Sequence, residues 1–102
     1  MPEFATPHSV KSSEKLLTQS ETIRAIRFAI ASEYEAIQIY EEIIEAIENK
    51  KAIKLIEEII EDEKVHVGNF MQLLKIINPS EENYYREGYK EALEILNDDK
   101  NK

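Results

Sequence analysis

Apolar residues recur along the chain at alternating spacings of three and four, the period of a helix that packs lengthwise against a partner. A first predicted helix begins at Thr18, because Thr18-Gln-Ser-Glu21 fits a capping box. Its core-facing series is Ile23, Ile26, Ile30, Glu33, Ile37, Tyr40, Ile44 and Ile47. One position in this otherwise apolar series is therefore a carboxylate.

A second series of the same period predicts a second helix. Its members are Ile53, Ile56, Ile60, Glu63, Val67, Phe70, Leu74 and Ile77. Polar residues 48–51 separate the two series, which indicates a short turn between antiparallel helices. The second series also contains a carboxylate.

A third, shorter helix is predicted after Asn78-Pro79-Ser80. Proline disfavours helical geometry in the residue before it, and Ser80 offers a cap for a new helix. The apolar stripe of this helix is Tyr85, Tyr89, Ala92 and Leu96. Gly88 lowers the helix propensity by about 1 kcal/mol relative to alanine. We expect an all-α fold, in which an antiparallel two-helix hairpin precedes a shorter C-terminal helix.

The chain divides into three predicted segments. Residues 1–17 contain proline and serine without periodicity and predict a flexible N-terminal tail, residues 18–97 form the helical domain, and residues 98–102 form a polar end. A domain within 102 residues is near the size at which one core stabilises only marginally, so a core shared between subunits is expected.

Composition narrows the function classes. A formal charge of −8 repels nucleic acid and anionic membranes, and it attracts cations. The chain has no cysteine, so histidine and carboxylates are its strong metal ligands. No apolar run approaches the roughly 20 residues that span a bilayer, and no signal-peptide pattern begins the chain. We expect a soluble, cytoplasmic protein.

The candidate chemistry lies at Glu33, Glu63 and His66. Glu63-Lys-Val-His66 places a carboxylate and an imidazole on neighbouring turns of one helix face. Glu33 and Glu63 are equidistant from residue 48, so the hairpin brings them to the same height. A carboxylate removed from water costs several kcal/mol unless it is paired or binds a metal. Two structural alternatives remain, namely a lysine partner or a protonated carboxylate dyad.

These three residues are half of the di-iron pattern of helical bundles. That pattern takes one glutamate from each of two helices and one Glu-x-x-His from each of two others. A homodimer supplies the second half and closes a four-helix bundle around two iron ions per pair of subunits.

Tyr40 lies seven residues after Glu33, about 10 Å along the helix and on the same face. Its phenol either approaches the metals as a hydrogen-bond donor or electron source, or it packs as a large core residue. The two interpretations are left open.

Residues 31–40 (ASEYEAIQIY) and 61–74 (EDEKVHVGNFMQLL) resemble the encapsulated ferritins, over roughly residues 20–96. Members of that family form a di-iron ferroxidase centre at a dimer interface. The resemblance implies that Glu33, Glu63 and His66 are iron ligands and that Tyr40 is the tyrosine beside them.

The same resemblance implies an assembly and a location. Dimers of that family form a ring of ten chains through the shorter C-terminal helix and work inside encapsulin shells. Glu35 matches a family carboxylate near the metal entry path, whereas Ser32 stands where some relatives have an acid.

Three functions are compatible with these features. The first is a ferroxidase that oxidises Fe(II) for iron storage, and the second is a rubrerythrin-like enzyme that reduces peroxide at the same centre with an external electron donor. The third is a non-catalytic helical assembly module whose buried acids respond to pH.

Overall fold

The computed structural model describes residues 16–98, which form three helices. α1 spans Gln19–Ala46, α2 spans Lys50–Ile77 and α3 spans Pro79–Asp98. The predicted all-α class and the order of helices are confirmed. The predicted tail and polar end lie almost wholly outside the described residues, so the division into segments stays a prediction.

α1 begins where the capping box predicts. The Thr18 Oγ1 atom accepts a hydrogen bond of 3.1 Å from the Glu21 backbone N–H, and the Glu21 Oε1 atom accepts one of 2.9 Å from the Thr18 backbone N–H. These bonds satisfy two backbone donors that the first helical turn leaves without partners.

The turn between α1 and α2 is shorter than predicted and covers residues 47–49. Asn49 is the reason, because its Oδ1 atom accepts a hydrogen bond of 3.0 Å from the Ala52 backbone N–H and so caps α2. Lys50 and Lys51 therefore belong to the first turn of α2, where polar side chains face water without interrupting the helix. Ile47 is the cap residue after α1 rather than a member of the helix.

The core lies between α1 and α2 and consists of residues from the two predicted series. Its buried members are Ile26, Ile37, Ile60, Val67 and Leu74. Two helices cover each other on one side only, and several large apolar side chains of the hairpin remain exposed. They are Tyr34, Ile39, Ile43, Leu55, Val65, Met71, Leu73 and Ile76.

α3 begins at Pro79, one residue before the predicted cap Ser80. Proline suits the first helical position, where its missing N–H has no partner to lose. The molecule measures 56 × 45 × 20 Å. Because α2 and α3 laid end to end would span about 72 Å, α3 is turned away from the axis of α2. No helix of the described chain is long and apolar enough to cross a membrane.

Replacing Thr18 by alanine tests the capping box. We expect Thr18→Ala to lower the free energy of unfolding by about 1 kcal/mol, because the Glu21 backbone N–H loses the hydroxyl that accepts its hydrogen bond. Thr18→Ser keeps the hydroxyl and serves as the control. Urea denaturation at one fixed chain concentration measures both, and equal midpoints for the two variants would contradict the assignment.

Candidate metal centre

Three side chains meet at one height of the hairpin. Glu33 comes from α1, and Glu63 and His66 come from α2; each offers one ligand atom, and these atoms all lie within 4.8 Å of one another. The His66 Nδ1 atom is 3.6 Å from Glu33 Oε2 and 3.9 Å from Glu63 Oε1. The structure therefore brings together the three residues that the spacing selected.

The position of the turn explains this meeting. Residues 47–49 form the connection, and Glu33 and Glu63 lie at equal distances along the chain from its middle residue, Glu48. Antiparallel helices then carry both carboxylates to the same level. His66 follows Glu63 by three residues and lies one turn along the same side of α2.

Glu33 has a buried oxygen without a partner. The side chains of Glu33 and Glu63 are 18% and 19% exposed, and that of His66 is 47% exposed. The Glu33 Oε2 atom is buried and accepts no hydrogen bond, since His66 lies beyond hydrogen-bonding distance. An ionised oxygen in this position is destabilising unless a cation supplies the missing interaction.

The two structural alternatives receive no support from the described side chains. The ion pairs formed there by Glu33 and Glu63 are with His66, and neither involves a lysine. The buried Glu33 Oε2 atom has no hydrogen-bond partner, so it forms no hydrogen bond with Glu63. Two carboxylate oxygens and one imidazole nitrogen are a donor set that suits iron, manganese or zinc, so the residues fit a metal ion.

Tyr40 packs in the core. It lies against the buried cluster of Ile37, Ile60 and Val67 and is itself partly buried. This contact accounts for its place in the first series. An additional interaction of its phenol with bound metals stays a prediction.

A second apolar series, which the sequence reasoning missed, lies beside the first. Each member directly precedes a member of the first series, so it lies about 100° away around the helix. We call these residues the second apolar face. They are Ala25, Ala29, Ala36, Ile39 and Ile43 of α1 and Leu55, Ile59, His66 and Leu73 of α2.

In both helices the second face is shifted from the first series by one residue in the same direction. An approximate twofold axis perpendicular to the plane of the hairpin exchanges two antiparallel helices and keeps each side of that plane in place. The α1 and α2 portions of the second apolar face therefore lie on the same side of the hairpin. His66 thus stands at the border between the core and an exposed apolar surface. Leu55 and Leu73 flank it along α2, and both are exposed. The sequence signal was present in α1 as a second run at spacings of three and four, interrupted by Ser32.

A helical hairpin that presents two carboxylates and an imidazole from facing helices defines the class of ferritin-like helical proteins. The sequence matches the rubrerythrin family over residues 25–101, and the chain belongs to that family. Its fold is similar to the crystal structure of the encapsulated ferritin domain from Pyrococcus furiosus, with a TM-score of 0.78 and 30% sequence identity. That match covers 87% of this chain and 90% of the other.

Two relatives carry names that refer to encapsulins. The ferritin-like-encapsulin shell fusion protein of Pyrococcus furiosus is 32% identical over 82 residues, or 80% of this chain. The encapsulin nanocompartment cargo protein EncC of Myxococcus xanthus is 28% identical over 87 residues, or 85% of this chain. The aligned part is 24% of the fusion protein and 65% of the cargo protein.

Replacing Glu33 by methionine tests whether its buried carboxylate serves binding rather than folding. We expect Glu33→Met to raise the free energy of unfolding of the metal-free protein by about 1 kcal/mol or more, because an unsatisfied buried oxygen is removed. Zinc should stabilise the original chain and not the variant. Glu42→Met, at an exposed position of α1, is the control and should change the stability by less than about 0.5 kcal/mol. A destabilised Glu33→Met protein would show that the carboxylate supports the fold.

Proposed function

We propose that this chain is a ferroxidase whose active site is completed when two copies meet. The observation that carries the proposal is the buried Glu33 oxygen, which has no hydrogen-bond partner and lies beside Glu63 and His66. A protein gains nothing in stability from such an oxygen, so its place in the core is best explained by cation binding.

A second copy supplies what one hairpin lacks. One chain offers three ligands, which is half of the set that bundle di-iron sites use. The second apolar face, which carries His66, is exposed in the single chain and has the pattern of a helix-packing surface. A twofold axis through this face places two Glu33, two Glu63 and two His66 around a pair of iron ions.

The reaction follows from the ligands. Fe(II) is the substrate, and two ions together give two electrons to one dioxygen molecule, which takes up two protons from water and leaves as hydrogen peroxide. The carboxylates of Glu33 and Glu63 favour the more highly charged product, and His66 fixes one side of the coordination. The formal charge of −8 raises the concentration of cations near the surface.

The location of this activity is part of the same proposal. Both curated relatives have names that refer to encapsulins, and the matched crystal structure is of an encapsulated ferritin domain. We infer that this chain works in the cytoplasm inside an encapsulin shell and passes ferric iron to the lumen for storage. Rings of dimers, ten chains in all, are the assembly that the resemblance implies.

Peroxide reduction is the second candidate, because the matching family is the rubrerythrins. It uses the same ligands and requires an external electron donor. Rapid consumption of dioxygen by Fe(II) without a donor favours the ferroxidase. Turnover of hydrogen peroxide that depends on an added reductase favours the alternative.

Removing a ligand tests the site directly. We expect Glu63→Ala and His66→Ala to bind less than one iron per chain. Loss of a residue that only hydrogen-bonds to a metal ligand typically costs roughly 10–100-fold in activity, so loss of a ligand itself should lower iron-dependent oxygen uptake by more than that. Glu57→Ala, at an exposed position of α2, is the matched control. Oxygen-electrode rates and iron content measure both quantities. A Glu63→Ala protein as active as the original would disprove the proposal.

A charge on the second apolar face tests the requirement for two chains. Leu55 and Val65 are both exposed on α2, at 60% and 63%, and only Leu55 belongs to that face. We expect Leu55→Glu to give monomers with at least about tenfold slower oxygen uptake, because a buried unpaired charge opposes dimerisation. Val65→Glu should keep both the dimer and the rate. Light scattering measures the mass, and a monomer that oxidises iron at the original rate would show that one chain suffices.

A further inference from the structure

The joint between α2 and α3 is a single residue. α2 ends at Ile77 and α3 begins at Pro79, which leaves Asn78 between them with the non-helical angles φ −135° and ψ 73°. None of the described residues of α3 is buried, so packing within the chain does not hold this helix along its length. Because α3 is about 30 Å long, a rotation of about 10° at the joint moves its far end by about 5 Å.

Glu81, in the first turn of α3, is where the joint is held. Its carboxylate accepts hydrogen bonds from three side chains that belong to three different parts of the chain. Arg27 of α1 donates to both oxygens, with a distance of 3.2 Å from Nε to Oε2. The Asn78 Nδ2 atom donates to Oε1 at 3.0 Å, and the Tyr85 hydroxyl donates to Oε2.

The electrostatics keep this arrangement intact at ordinary pH. Hydrogen bonds from Arg27, with smaller contributions from Tyr85 and Asn78, lower the pKa of Glu81 to about 2. The carboxylate therefore stays ionised, and the Tyr85 pKa is raised, so its hydroxyl remains a donor. The Glu81 side chain is 11% exposed and the Arg27 side chain is 51% exposed, and the two-pronged arginine–carboxylate pair fixes the relative orientation of the two groups better than a single contact would.

We propose that Arg27 and Glu81 form a clasp between α1 and α3 that fixes the angle of α3 against the hairpin and thereby selects which other copies of the chain α3 contacts. α3 presents Tyr84, Leu93, Ile95 and Leu96 to its surroundings with 59–72% of each residue exposed. These side chains meet different neighbours when the angle changes. The first half of the proposal is that the clasp fixes the angle of α3, and it does not depend on the proposed function. The second half is that this angle selects the neighbouring copies, and it rests on the oligomer of the proposed function.

The chain contains a matched control for each partner. Arg24 is an exposed arginine one turn before Arg27, and it donates to Ser20 of its own helix at 2.9 Å. Glu82 follows Glu81 and pairs with Arg86 of its own helix at 3.5 Å. Arg24→Met and Glu82→Gln therefore change the same chemical groups without touching the clasp.

Intrachain distances test the first half of the proposal. The chain has no cysteine, so Gln38→Cys on α1 and Glu87→Cys on α3 give two spin-label sites and no others. Labelled chains diluted with unlabelled chains report the distance within one chain by pulsed electron resonance. We expect Arg27→Met and Glu81→Gln to widen the distance distribution at least twofold, and Arg24→Met and Glu82→Gln to leave it unchanged.

The mass of the assembly tests the second half. We expect Arg27→Met and Glu81→Gln to replace one dominant oligomer with several species or a smaller one in native mass spectrometry, whereas the controls keep the original mass. The exchange variant Arg27→Glu with Glu81→Arg restores opposite charges and should recover both the narrow distance distribution and the mass. Neither measurement uses iron oxidation, so the result is separate from the fate of the ferroxidase proposal.

Several outcomes would overturn the clasp. Clasp variants that match the controls in both measurements disprove it. A wider distance distribution with an unchanged mass refutes the selection of neighbours, and a changed mass with an unchanged distribution makes these residues an interface rather than an angle-setting pair. Loss of helical circular dichroism in Arg27→Met and Glu81→Gln would assign the pair to folding, which also refutes the proposal.

Discussion

The burial of the Glu33 carboxylate between two helices is the constraint on which the rest of this structure depends. A hairpin of isoleucine-rich helices would be more stable with an apolar residue there, because an ionised oxygen without a hydrogen-bond partner loses its hydration and is not fully compensated by His66 at 3.6 Å. Among the described residues, the fold accepts this cost at the level of the core where Glu63 and His66 also lie. A local rule of core composition is therefore broken at the point where chemistry is available.

The incompleteness of the hairpin has the same origin. Two helices bury one stripe each, and the second apolar face remains exposed beside the carboxylates. Covering that face with another copy does two things at once, since it removes apolar area from water and doubles the ligand set. In the proposed dimer, stability and ligand number are thereby coupled, because the contact that buries the face also completes the ligand set. A small chain of 102 residues gains more from this arrangement than a large one would.

Much of the fold was predictable because helical periodicity and caps act locally. The Thr18 capping box and the two series at spacings of three and four located α1 and α2, and the centre of the turn brought Glu33 opposite Glu63. The turn itself was predicted too long, since the side chain of Asn49 decides where α2 begins and polar residues fit a first helical turn equally well. The second apolar face gives a weak sequence signal, because three of the five members of its α1 portion are alanines, which contribute little hydrophobic contrast.

The direction of α3 was beyond sequence reasoning for a different reason. It depends on the backbone angles of the single residue Asn78 and on a contact between Arg27 and Glu81, which are 54 residues apart. No periodic pattern encodes such a pair, and the chain contains other arginines and glutamates at neighbouring positions that form bonds within their own helices. The difference between Arg27 and Arg24 is purely one of geometry, since three residues along α1 decide which guanidinium reaches the base of α3. A long helix that is held only at its base transmits a small change there into a large displacement at its tip, so the charged pair at the joint has more influence on the shape of the molecule than its exposed position suggests.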